Sequence, residues 1–107
     1  MLTLLLALTL QDPAQPDPHV WYAQATACMG SSRAARPRDP GAQPTEVDED
    51  ALVWGLVMAS AGPAAGRPAE PQQAADAAAA EAFFRQVRDF RPEAHQAHQT
   101  YCRALRP

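Results

Sequence analysis

The chain has 107 residues and a formal net charge of −3 at pH 7. This length allows one small domain with a single core. The sequence contains no dinucleotide-binding fingerprint, phosphate-binding loop or zinc-finger cysteine spacing. The acidic balance argues against a protein that coats nucleic acid, so we expect no nucleic-acid partner.

Alanine supplies about half of the hydrophobic residues, and isoleucine is absent. Because alanine is the best helix former and β-branched residues are scarce, the composition favours an all-α fold. Large apolar residues are few once the first ten positions are set aside. A core this small often needs reinforcement from a disulfide, a metal or a partner.

Residues 1–10 form an unbroken apolar run, and residues 11–18 are polar and rich in proline. The run is too short for a membrane-crossing helix, which needs about 20 residues. Its length is typical of the hydrophobic part of a secretory signal, although no basic residue precedes it and no clean cleavage site follows. We expect residues 1–16 to be an export signal and spacer, with a periplasmic or secreted destination and no stable membrane span. An uncleaved interfacial anchor and a segment of a cytoplasmic domain are the alternatives.

A first helix is predicted to begin at Asp17 and Pro18. Aspartate is a favourable N-cap, and proline fits the first helical turn. Trp21 and Cys28 are separated by two helical turns, which places both on one face and directs the cysteine toward the core. We expect the helix to end near Gly30, Ser31 and Ser32, because this sequence is typical of a helix C-terminus.

Residues 33–46 contain three prolines and a glycine, which predicts a surface loop. Acidic residues follow Thr45, where they favour the positive end of a helix dipole. The uninterrupted apolar run at residues 51–59 fits either a buried helix or a buried strand. The acidic start and the Ala-Ser-Ala-Gly-Pro ending decide for a helix, which we expect to lie at the centre of the fold.

Residues 62–72 predict a second flexible connection, followed by a long helix from about Gln72 to Arg103. Apolar residues recur along this helix at steps of three and four, which predicts a heptad-like seam. Because the seam keeps its phase across Pro92, we expect that proline to kink one helix rather than to separate two. The seam consists of Ala80, Phe83, Val87, Phe90, Ala94, Ala97, Tyr101 and Ala104.

Together these elements predict one all-α domain at residues 17–107. The expected architecture is a small bundle of three to four helices joined by proline-rich loops, with a long last helix kinked near Pro92.

Cys28 and Cys102 are the two cysteines of the chain. In a small secreted protein, two distant cysteines are most simply one disulfide. A redox-active pair normally stands close in sequence, as in a CxxC motif, and that spacing is absent. We therefore expect a structural disulfide, with free or metal-bound thiols as the alternative.

His95, His98 and Cys102 lie within about 60° of one another around a helix. Imidazole and thiolate groups bind zinc and copper, so this face is a candidate metal site. The spacing matches no standard zinc motif, and a disulfide would compete for the cysteine. The simpler interpretation, two histidines that face solvent, is the one we favour, and we expect no cofactor.

Catalysis has little support, because the hydroxyl residues lie in no recognisable motif and the chain offers little wall for a cleft. Phe83 and Phe84 are consecutive and point in different directions, so one of them is a candidate contact for a protein partner. We expect a non-enzymatic exported protein with a structural or protein-interaction role and an undetermined oligomeric state. A metal-binding protein and a pH-responsive periplasmic chaperone are the alternatives.

Overall fold

The computed structural model describes residues 17–36 and 46–107. Within these residues the chain forms helices and no strand, which confirms the predicted all-α bundle. The expected export signal at residues 1–16, the N-cap candidate Thr45 and most of the loop at 33–46 lie outside the described residues. The helices are α1 (Pro18–Ala34), α2 (Glu46–Ala61), α3 (Glu70–Phe90) and α4 (Pro92–Leu105).

The central helix is α1, which packs against each of the other three helices. The expectation that the apolar α2 would be central is wrong. Leu52 and Leu56, on its outer side, are 67 % and 64 % exposed. Among the described residues, α1 covers one side of α2 and no helix covers the side that carries these two leucines.

The first helix begins as its sequence predicts but ends later. The Asp17 side chain accepts a hydrogen bond of 2.8 Å from the His19 backbone N–H, and Pro18 occupies the first turn. The helix then continues past Gly30 to Ala34, so the predicted end is wrong. Gly30 is buried against α3, where the absence of a side chain allows the two backbones to approach closely.

At Pro92 the chain forms two helices, not one kinked helix. Arg91 is non-helical, with φ −143° and ψ 72°, as expected for a residue that precedes proline. Two residues fourteen positions apart in one continuous helix would be separated by about 21 Å. The ring centroids of Phe84 and His98 are 4.4 Å apart, so α4 folds back alongside the end of α3.

The predicted seam does not form the buried face of α3 and α4. Phe83 and Phe90 are 60 % and 84 % exposed, whereas the buried positions of α3 are Ala77 and Phe84. The turn at Arg91 breaks the single helical phase that the seam requires through residues 80–104. Already before that turn, Ala77 lies on the side of α3 that packs into the core, and Phe83 lies away from it.

The core joins all four helices around α1. Trp54 of α2 is fully buried, and its ring meets Trp21 of α1 edge-on with centroids 5.5 Å apart. The remaining core side chains come from facing positions on the four helices. The buried cluster consists of Tyr22, Ala25, Cys28, Trp54, Met58, Ala77 and Cys102.

Two carboxylates connect elements at the edges of this core. Asp50 of α2 is buried and accepts hydrogen bonds from Arg103 and Arg106 near the end of α4, at 3.0 and 2.8 Å. Asp76 of α3 receives two hydrogen bonds from Arg67, at 2.9 and 2.7 Å. The Arg67 guanidinium lowers the pKa of Asp76, and this ion pair ties the connection after α2 to α3.

Candidate functional site

The contact between α1 and α4 is built on the two cysteines. The sulfur atoms of Cys28 and Cys102 lie at bonding distance, and their Cα atoms are 5.6 Å apart across a sequence separation of 74. This Cα distance is typical of a disulfide. Both residues are buried, with 1 % and 3 % of their surface exposed. The predicted partners therefore lie at disulfide distance inside the core.

His98 lies beside this sulfur pair, one helical turn before Cys102. Its Nδ1 atom is 3.6 Å from the Cys102 sulfur. The imidazole stacks on Phe84 with an interplanar angle of 23°. Burial, together with the neighbouring His95, lowers the pKa of His98, which favours the neutral ring.

His95 is directed toward a different partner. It is 3 % exposed, and its Nε2 atom is 2.9 Å from the backbone carbonyl oxygen of Ser31. A carbonyl oxygen only accepts, so this imidazole nitrogen donates the hydrogen bond. The expectation that both histidines face solvent is wrong, because His95 ties α4 to the end of α1.

The structure therefore changes the membership of the candidate ligand group. Ligand atoms of Cys28, His98 and Cys102 lie within 4.8 Å of one another. The i,i+4 spacing of His98 and Cys102 placed those two residues together in the sequence analysis. Cys28 lies on α1. The expected disulfide with Cys102 was the one feature of the sequence that indicated its place in this group.

The two consecutive phenylalanines separate as the helix geometry requires. Phe84 is buried beneath His98, whereas Phe83 is 60 % exposed. Around Phe83, the outer face of α3 presents exposed residues without charge, which span an arc of about 100°. We call this face the α3 strip; its members are Ala75, Ala79, Ala82, Phe83, Gln86 and Phe90.

Two further concave surfaces lie beside α2. A groove of about 260 Å³ runs between Trp21 and the exposed side of α2 near Leu56. A larger cavity of about 400 Å³ lies where α1, α2 and the start of α3 meet. Met29 and Met58 line this cavity together with Arg33 and Glu70, so its wall is apolar with opposite charges. Neither surface is predictable from the sequence alone, because each is assembled from separate helices.

Among the described residues, no helix is both long enough and apolar enough to cross a membrane. No protein-family model, curated protein or solved structure matches the chain.

Proposed function

We propose that this protein is an exported, non-catalytic helical module that binds a partner helix through the α3 strip. The supporting observation is the exposure of two phenylalanines on one helix face, 60 % for Phe83 and 84 % for Phe90. Large aromatic side chains are enriched at the centres of protein interfaces. The members of the strip carry no charge, so its centre can be covered without burying an ion.

A second copy of the chain has the complementary shape. Along the strip, small side chains occupy the N-terminal half and the two phenylalanines lie toward the C-terminal half. Two copies of α3 paired antiparallel about their midpoint would place Phe90 of one copy opposite Ala75 of the other. A large side chain would then fit over a small one at both ends, as ridges fit into grooves.

The expected dimer is weak. The strip extends over about 22 Å of helix, because each residue adds about 1.5 Å. A contact on one helix of this length buries less area than a standard interface of about 1,600 Å². The dimer is therefore expected to form at high protein concentration and to dissociate on dilution.

Analytical ultracentrifugation over a concentration series tests this interface. We expect the wild-type disulfide form to shift toward a dimer with increasing concentration, and the Phe83→Ser, Phe90→Ser double variant to stay monomeric. The matched control is Leu52→Ser with Leu56→Ser, which removes two exposed apolar residues from α2. A wild-type chain that is monomeric throughout, or an association that only the α2 variant removes, would contradict the proposal.

Export is supported by the apolar run at residues 1–10 and by two buried cysteines at disulfide distance. The test is the intact mass of the protein from its native compartment, measured with and without thiol alkylation. We expect a chain that lacks the first segment and takes up no alkylating reagent. A sample reduced in denaturant before alkylation shows that both thiols can react. A full-length mass with two alkylated cysteines would overturn this part of the proposal.

A further inference from the structure

Three ligand atoms of the kind that bind zinc meet where α1 and α4 touch. The sulfur atoms of Cys28 and Cys102 and a ring nitrogen of His98 lie within 4.8 Å of one another. We propose that the dithiol form of this protein binds Zn²⁺ through Cys28, Cys102 and His98. We further propose that the disulfide and the metal exclude each other.

The ligand types and their spacing fit zinc. Zinc in proteins is commonly held by thiolates and imidazoles, and three protein ligands leave a fourth position for water. Two thiolates bound to one zinc ion lie about 3.8 Å apart, given zinc–sulfur distances of about 2.3 Å. The Cα atoms of Cys28 and Cys102 are 5.6 Å apart, so this separation requires side-chain rotation only.

The surroundings also favour a bound cation. Both cysteines belong to the apolar cluster that contains Tyr22 and Trp54, where a thiolate without a partner would be costly. The zinc ion and two thiolates together carry no net charge. His98 is half-buried and supported by its stacking on Phe84, which holds the ring beside the sulfur atoms and leaves one side accessible to water.

His95 is not a member of this ligand set, because the group of ligand atoms that lie within 4.8 Å of one another does not include it. Its Nε2 atom bonds to the Ser31 carbonyl oxygen at 2.9 Å, which anchors the imidazole to α1. The proposed site therefore differs from the His95, His98 and Cys102 set that the helix pattern alone indicates. Each set makes a different prediction for the two histidine variants.

Protons and electrons are conserved in both proposed reactions, which are zinc binding and oxidation. When Zn²⁺ enters the dithiol form, the two thiols lose two protons and each sulfur donates an electron pair to the metal. When a disulfide-containing oxidant reacts instead, the dithiol gives up two electrons and two protons. The oxidant becomes a dithiol, and a bond forms between Cys28 and Cys102. Both sulfurs are then held in the disulfide, so the oxidised chain has no thiolate with which to bind zinc.

The experiment uses the full chain in two forms. The dithiol form is prepared by phosphine reduction in denaturant, refolded and freed of phosphine without oxygen; the disulfide form is the reference. Co²⁺ reports thiolate ligation through its visible spectrum, and Zn²⁺ affinity is measured by competition with a chromophoric chelator. We expect one ion for each dithiol chain, with tetrahedral thiolate bands, and no binding by the disulfide form.

The histidine variants distinguish the two ligand sets. His98→Ala should weaken zinc binding by about tenfold or more, since even loss of a residue that only supports a ligand has this effect. His95→Gln is expected to keep the wild-type affinity. A dithiol chain without thiolate bands, equal binding by the disulfide form, or loss of affinity in His95→Gln alone would overturn the proposal.

If the dithiol chain does not fold without metal, recovery of helix on addition of Zn²⁺ tests the same proposal. Zinc binding would then be coupled to folding, so added Zn²⁺ should restore the helical circular dichroism of the wild-type chain. His98→Ala should need about tenfold more zinc for the same recovery. A wild-type chain that gains no helix with zinc would overturn the proposal.

Discussion

Replacing both cysteines, in the variant Cys28→Ser with Cys102→Ser, is expected to lower the free energy of unfolding by about 4 kcal/mol. The bond connects residues separated by 74 positions, so its loss gives the unfolded chain many more conformations. A domain of this size has a net stability of roughly 5–15 kcal/mol. One covalent bond is therefore expected to supply a large share of the total.

The loss should be greatest at α4. Apart from the disulfide, the interactions that attach α4 include the His95–Ser31 hydrogen bond, the Phe84–His98 stacking and the ion pairs of Asp50. Asp50 is buried, but the arginines that contact it are partly exposed, so water screens part of the attraction in these ion pairs. We expect the amides of α4 to lose protection from hydrogen exchange before those of α1.

Urea unfolding followed by circular dichroism measures the total effect, and hydrogen exchange locates it. The control is the wild-type chain reduced in denaturant, refolded and alkylated, which breaks the same bond without substitution. A serine variant that loses less than about 1 kcal/mol would show that the cysteines are not bonded in solution. Uniform loss of protection over α1 and α4 would contradict the proposed order of unfolding.

Features of the fold that depend on local chemistry were predictable from the sequence. The N-cap at Asp17 follows from the hydrogen-bonding geometry of a single residue. A disturbance of the helix at Pro92 follows from the backbone geometry of proline, although the predicted kink in one helix was wrong and the chain forms two helices there. The all-α class follows from a composition rich in alanine. Each of these inferences requires only neighbouring residues, and none depends on how the helices are arranged.

Features that depend on packing were not predictable in the same way. The apolar pattern of α2 predicts burial, but it does not show how many helices surround α2. In the structure Leu52 and Leu56 are exposed. The step pattern through residues 80–104 has the same form whether the chain continues straight or folds back. In the structure Phe84 rather than Phe83 faces inward, and His98 of α4 stacks on it.

The candidate metal group was predictable only in part. His98 and Cys102 share one helix face because of their spacing, and this part of the group was predictable. The choice between His95 and Cys28 as the third member depends on the distance between α1 and α4. That distance places the Ser31 carbonyl oxygen next to His95 and the Cys28 sulfur next to Cys102.

Alanine substitutions at two helical glycines, Gly30 and Gly55, should have different effects on the free energy of unfolding. A Cβ atom added at Gly30 would lie 2.5 Å from both the backbone carbonyl carbon and the Cβ of Ala80. A backbone cannot rotate away as a side chain can, so α1 and α3 would have to separate. Gly30→Ala is therefore expected to lower the free energy of unfolding by about 1–3 kcal/mol, as overpacked cores do.

Gly55→Ala is the matched substitution on α2. Its added Cβ would lie 3.3 Å from the terminal methyl of Met29, which is flexible enough to move aside. Alanine is favoured over glycine in a helix by about 1 kcal/mol, so this variant should be neutral or slightly more stable than wild type. Urea unfolding of the two variants isolates the contribution of close packing, because both gain the same helix propensity. If Gly30→Ala were as stable as Gly55→Ala, the close approach of α1 to Ala80 would not exist in solution, and helix propensity alone would account for both results.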